Sequence, residues 1–141
     1  VAQGLPMCVL PGACAVNLAL VMSGLPTSSW TFKGFPPRKP GALRRFFGEE
    51  AAMPHTLVLY ESPFRLGHTL AAAAEVLGAR PAAVCFEITK LHERVERGTL
   101  PELAARFADA KVKGEITIVI GGRTRAAAAA DADLDDDEPA G

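Results

Sequence analysis

Polar residues stand where apolar runs stop in two short stretches, YESPFRL (residues 60–66) and EITKLHE (residues 87–93), and Glu115 stands just before a third run, ITIVI. Glu61, Glu87 and Glu115 are carboxylates at the ends of apolar strands, where desolvation is costly unless the charge is paired. Arg65 and Lys90 are the obvious partners. Residue types alone leave two readings open. One is a salt-bridge network that closes one end of a sheet; the other is a site in which the same groups hold and orient a ligand. In a site, a carboxylate or a lysine of lowered pKa serves as general base, and an arginine grips a phosphate through paired hydrogen bonds.

Other chemistries lack their residues. There is no GxGxxG after a strand, no GxxxxGK[ST], no HExxH and no CxxC pair, and His55, His68 and His92 show no ligand spacing, so no metal is expected. Ser62 has no GxSxG context; followed by Pro63, it reads as a helix N-cap. Cys8, Cys14 and Cys85 are an odd number at wide spacings, which suggests buried, inert thiols in a reducing compartment.

The net charge of −1 conceals an asymmetry. Six of the sixteen acids fall in residues 131–138, whereas all fifteen Lys and Arg precede Ala126, so residues 1–130 carry fifteen bases against ten acids. Lys33, Arg38, Lys39, Arg44 and Arg45 crowd together, as a polyanionic partner such as RNA requires, and as a solvated surface also permits. The most apolar run, residues 16–25, is far shorter than the roughly 20 residues that span a bilayer. Neither a true start nor a targeting peptide is on view at Val1. A cytoplasmic location is expected, with an organellar homologue left open.

These groups need a scaffold. Residues 5–10 read as a short buried strand stopped by Pro11 and Gly12, and residues 13–23 as a helix closed by Gly24 and Pro26. Residues 29–35 alternate as a strand does, FPPRKPG (35–41) is a proline-ruled loop, and a short basic helix follows over 42–51. Residues 56–60 are a strand, and a helix capped by Ser62 runs to Leu77 with Gly78 as its stop. Residues 82–88 are another strand, with 92–97 pairing back antiparallel. Thr99 and Glu102 form a capping box for a helix through Phe107, and residues 115–120 are the last strand before a turn at Gly121-Gly122. The fold class is α/β, a mixed sheet of five or six strands flanked by helices, in one domain over 1–122. Residues 123–141, rich in Ala and Asp, cannot bury enough surface to offset their ordering entropy, and a disordered tail is expected.

Five motifs, LPGACAVNLAL, GFPPRK, LYESPFRL, EITKLHERVERGTL and KGEITIVIGG, follow one another over about residues 5–122. In order and spacing they resemble the tetrapyrrole methylase superfamily, and within it the branch that methylates a cytidine 2′-hydroxyl of small-subunit ribosomal RNA. The resemblance implies an S-adenosylmethionine-dependent enzyme, a homodimer when complete, with the cofactor held between an N-terminal and a C-terminal α/β domain. This chain then corresponds to the C-terminal domain plus the last strand of the N-terminal one, at residues 5–10, and the glycine- and aspartate-rich loop for the cofactor's methionine end lies upstream.

Carried over by residue, the resemblance places Cys14 and Ala15 in the cofactor cleft, with Tyr60, Glu87, Ile88 and Glu115 near the adenosine. Arg65 and Lys90 become RNA contacts oriented by Glu61, and Glu61, Glu87 or Lys90 the base. The sequence departs from the family at Ala13, where a proline is usual, at Cys14, where serine is commoner, and at Phe64, where histidine is usual. A non-catalytic module that binds RNA or a partner through its basic loop is the alternative. A tetrapyrrole or other small-molecule substrate fits EITKLHE and GFPPRK less well.

Overall fold

In the computed structural model, which describes residues 2–125, the chain order is α1 (Ala15–Ser23), β1 (Trp30–Phe32), α2 (Pro40–Glu50), β2 (Thr56–Glu61), α3 (Leu66–Leu77), β3 (Pro81–Phe86), β4 (Arg94–Thr99), α4 (Leu100–Phe107) and β5 (Ile116–Ile120). The five strands form one mixed sheet in the order β1-β2-β5-β3-β4. β1 runs parallel to β2, whereas β5 lies antiparallel to both β2 and β3, and β4 antiparallel to β3. The C-terminal ends of β1, β2 and β3 therefore share one end of the sheet with the N-terminal ends of β4 and β5. Glu61 and Phe86 both stand opposite Ile116 in the register, so the residues after β2 and β3 and before β5 converge there.

The two-residue period of a strand sorts side chains between two cores. Leu57, Leu59, Val84, Phe86, Ile116, Ile118 and Ile120 face α2, α3 and α4 in the larger core. Val58, Cys85 and Val119 face the other way and pack under Val16, Ala19 and Leu20 of α1. β2, β3 and β5 are buried on both sides, which is why they read as continuous apolar runs and not as alternating ones. α3 presents Leu66, Thr69, Leu70, Ala73 and Leu77 at helical spacing to the sheet. Each fully buried leucine in this core contributes about 1.5–3 kcal/mol of transfer free energy.

Helix ends are closed by identifiable groups. The capping box is formed: Glu102 N–H donates to the Thr99 hydroxyl, and Thr99 N–H donates to the Glu102 carboxylate at 2.8 Å. Arg80 reaches the carbonyls of Glu50 and Ala51 at the end of α2, and Arg97 those of Met22 and Ser23 at the end of α1. Cations at these termini offset the negative end of each helix dipole.

Some expectations need correction. Residues 5–10 form no strand: Leu5, Met7, Val9 and Leu10 are exposed, and no strand among the described residues pairs with them. Apolar composition makes a strand only where a neighbour takes up its backbone groups. Ser62 does not cap α3 directly. It closes a turn, accepting the N–H of Phe64 on its hydroxyl and that of Arg65 on its carbonyl, and the α-helix begins after Arg65. Gly121-Gly122 forms no turn: Gly121 N–H donates to the Pro81 carbonyl at 2.8 Å, and a side chain at Gly122 would strike the Pro54 carbonyl. Of the three cysteines only Cys85 is buried, where burial pushes its thiol up to about 11; Cys8 and Cys14 are exposed. The expected tail lies outside the described residues from 126 onward.

Candidate active site

At the end of the sheet where β2, β3 and β5 converge, a cleft of about 520 Å³ opens between Ala15, Phe35, Tyr60, Glu61, Ser62, Pro63 and residues 114–117. Three of the expected cofactor-lining residues, Ala15, Tyr60 and Glu115, meet in it. Tyr60 lies on the α1 side of the sheet, between the rings of Phe32 at 4.8 Å and Phe35 at 5.7 Å. Cys14 is the residue before α1 and is exposed, and Ile88 packs against the α1 core; neither lines the cleft.

Phe35, in GFPPRK, also lines the cleft, a role that its neighbours in sequence do not signal. Its loop is fixed by the main chain: Tyr60 N–H donates to the Gly34 carbonyl at 2.9 Å, and the Arg65 guanidinium donates to the Pro37 carbonyl at 2.9 Å.

The expected pairing of Glu61 with Arg65 or Lys90 is not made. The period of β2 turns Glu61 toward α3, and there its carboxylate, 3% exposed, accepts from the Thr69 hydroxyl at 2.5 Å and from Ser62 N–H at 2.7 Å. Both carboxylate oxygens are thus engaged without a cation, and Arg65 is engaged elsewhere.

The second carboxylate pairs as expected. Lys90 Nζ lies 3.3 Å from Glu87 Oε1 and 3.2 Å from Glu115 Oε2. Glu87 Oε1 also accepts Glu115 N–H at 2.5 Å, which is the main cause of its lowered pKa, with Lys90 adding to it. The two carboxylates, Glu115 first, hold the Lys90 pKa above its ordinary value. Lys90 is therefore not a lysine of lowered pKa: the neighbouring carboxylates outweigh desolvation at this exposed position.

The backbone is strained around this group, with positive φ at Glu87 (48°) and Thr89 (67°). A β-branched residue in that region is an outlier that surrounding contacts must hold. Thr89 N–H donates to the Glu93 carboxylate at 2.5 Å, and Lys90 N–H to the Glu87 carbonyl at 2.9 Å. Gly114, at φ 89°, leaves room for the Glu87 carboxylate, which a Cβ there would strike.

The basic cluster is less cationic than its sequence suggests. Lys33 pairs with the buried Glu50 and lies over the Phe46 ring, and Arg44 pairs with Glu75 at 3.2 Å. Arg38, Lys39 and Arg45 are exposed and keep their charges unpaired among the described residues. Among the described residues no helix is long and apolar enough to cross a membrane.

The mixed sheet with its flanking helices is a fold also seen in solved methyltransferases. CobJ superposes with a TM-score of 0.61 at 16% identity, covering 84% of this chain and 52% of that one. Uroporphyrin-III C-methyltransferase from Thermus thermophilus, solved in complex with S-adenosyl homocysteine, superposes at 0.53 with 22% identity over 85% of this chain and 52% of its own.

The family model of the Tetrapyrrole (Corrin/Porphyrin) Methylases matches residues 1–104, and the chain belongs to that family. The ribosomal RNA small subunit methyltransferase I of Mycobacterium tuberculosis strain H37Rv is 52% identical over 120 residues, 84% of this chain and 42% of its own. That of Halalkalibacterium halodurans is 40% identical over 85% of this chain and 42% of its own. The chain thus spans less than half the length of these relatives.

Proposed function

We propose that this chain forms the C-terminal part of an S-adenosylmethionine-dependent methyltransferase that acts on a ribose 2′-hydroxyl of a cytidine in small-subunit ribosomal RNA. The observation that carries the reading is the 52% identity, over 120 residues, to a relative named ribosomal RNA small subunit methyltransferase I. The cleft's chemistry suits the cofactor. Phe35 and Tyr60 offer aromatic faces to a purine, and Glu115 offers a carboxylate to ribose hydroxyls. The first turn of α1 has no side-chain cap, so its backbone N–H groups remain for an anion. Ala15 and Gly114 keep the space open.

When bound, the cofactor supplies an electrophilic methyl group. This chain's residues align and bind. Glu61 and Thr69 fix the β2–α3 junction, Arg65 holds the GFPPRK loop, and Lys90, kept charged, supplies positive potential where a phosphate approaches. Arg38, Lys39 and Arg45 serve the same polyanion from the loop and α2. A homodimer, in the cytoplasm, belongs to the same reading.

The test is calorimetric titration of S-adenosylmethionine into the chain and into the same chain extended by the upstream region its relatives possess, followed by methyl transfer to unmethylated small ribosomal subunits. Binding and transfer by the extended protein are expected, with Ala15→Leu weakening cofactor binding at least about tenfold by filling the cleft. An extended protein that binds RNA but neither binds the cofactor nor transfers methyl would make the chain an RNA-binding module instead.

A further inference from the structure

Phe64 is 97% exposed, the most exposed of the large apolar side chains among the described residues. It borders a hollow of about 670 Å³ whose other wall is formed by residues 108–114. Residues 111–114 also wall a second hollow of about 380 Å³, with Phe86, Glu87, His92 and Arg94 on its far side. Lys111 and Lys113 stand on this ridge, exposed and without an ion-pair partner among the described residues, so both hollows are lined by the same two cations. Arg94 Cζ lies over the Phe86 ring, 4.0 Å from its centroid, and its nearest carboxylate oxygen, on Glu96, is 3.9 Å away. The acids bordering the two hollows are Asp109 and Glu87, and the charge of Glu87 is already met by Lys90 and by Glu115 N–H. Gly114 lies in both hollows and in the candidate cofactor cleft, and Pro63 joins the Phe64 hollow to that cleft.

The geometry points to a single-stranded RNA track across the ridge of residues 111–114, in which Phe64 stacks on a base while Lys111, Lys113 and Arg94 hold the neighbouring phosphates. An exposed ring beside unpaired cations is the combination that single strands use, because every base has a face to stack and every linkage a charge. A duplex buries its base faces and leaves Phe64 without a partner. Continuity through Pro63 and Gly114 brings a nucleotide seated on this track beside the cleft, which a methyl acceptor requires. The track rests on the methyltransferase reading for its substrate, but its RNA affinity is measurable without methyl transfer.

Fluorescence anisotropy of a short labelled single-stranded RNA, titrated with the full chain over a range of salt concentrations, tests it. Phe64→Ala is expected to weaken binding about tenfold or more, Phe64→Leu to weaken it similarly, and Phe64→Tyr to retain it. Lys111→Ala with Lys113→Ala should reduce the slope of log affinity against log salt by about 1.4, two phosphate contacts on a single strand. Cofactor affinity of the extended protein should be unchanged in all of these variants.

RNA affinity and salt slope equal to wild type in these variants overturn the track, and if the extended wild-type protein still transfers methyl, the methyltransferase reading stands. Loss of RNA affinity in Phe64→Ala with no cofactor binding by the extended wild-type protein upholds the track and removes the methyltransferase reading. A wild-type chain that binds no single-stranded RNA overturns the track, as does a Phe64→Ala change that alters sedimentation while leaving RNA affinity intact, which would assign the ring to a protein contact.

Discussion

Glu61 and Glu87 leave the same end of the sheet from strands on either side of β5, yet the fold treats them in opposite ways. Glu61 ends β2 on the side covered by α3, and its carboxylate is buried and satisfied by a hydroxyl and an amide. Glu87 follows β3 in a left-handed turn at the surface, where it shares Lys90 with Glu115. The difference is one of coverage: a helix packs over one strand end, and a loop at the surface follows the other. A buried carboxylate with every oxygen bonded anchors structure, whereas a partly exposed one can give up its lysine to a substrate phosphate.

The comparison can be broken most severely at Glu61. Glu61→Ala should destabilise the chain by about 3 kcal/mol, because Ser62 N–H and the Thr69 hydroxyl lose their acceptor inside the protein, and chemical denaturation reads the loss. Thr69→Val, which keeps the volume and removes one donor, should cost about 2 kcal/mol by the same measurement; a neutral outcome would mean that the Thr69 hydroxyl does not hold Glu61 in place. Gly114→Ala should cost about 1 kcal/mol for its positive φ and displace the Glu87 carboxylate, so that cofactor affinity of the extended protein falls more than stability does.

The smallest effect belongs to the exposed network. Lys90→Ala should lower Tm only slightly, and high salt should erase the difference. The sign of its pH dependence is fixed by the two shifts. Glu87, lowered, contributes stability above the ordinary carboxylate range and loses it as pH falls through its lowered value; Lys90, raised, contributes below the ordinary lysine value and loses it as pH rises through its raised value. Melting curves of Glu87→Gln against pH should therefore run slightly below wild type on the neutral plateau and rejoin it in acid, so that part of the acid limb is lost.

Much of this was legible in the sequence. The runs 56–60, 82–88 and 115–120 announce strands buried on both faces, and Thr99 with Glu102 announces a helix start, because period, composition and capping are local properties. The convergence of Glu61, Glu87 and Glu115 followed from three apolar runs that begin or stop at an acid. Residues 5–10 misled because a strand is defined by its neighbour, and Ser62 because its hydroxyl serves a turn that precedes the helix. Phe35 and Phe64 were overlooked because the exposure of a ring is not written in its neighbours.

The sequence by itself determined the element types, the family to which the five motifs belong, and which polar groups gather at one end of the sheet. Only the tertiary structure decided their partners. Glu61 went to Thr69 because strand parity turned it under α3, Arg65 went to the Pro37 carbonyl, Lys33 and Arg44 were neutralised by Glu50 and Glu75, and Lys111 and Lys113 were left unpaired beside Phe64 among the described residues. Spacing along the chain limits which groups can meet, but desolvation and the direction of each side chain, both set by packing between elements distant in sequence, select which of them do.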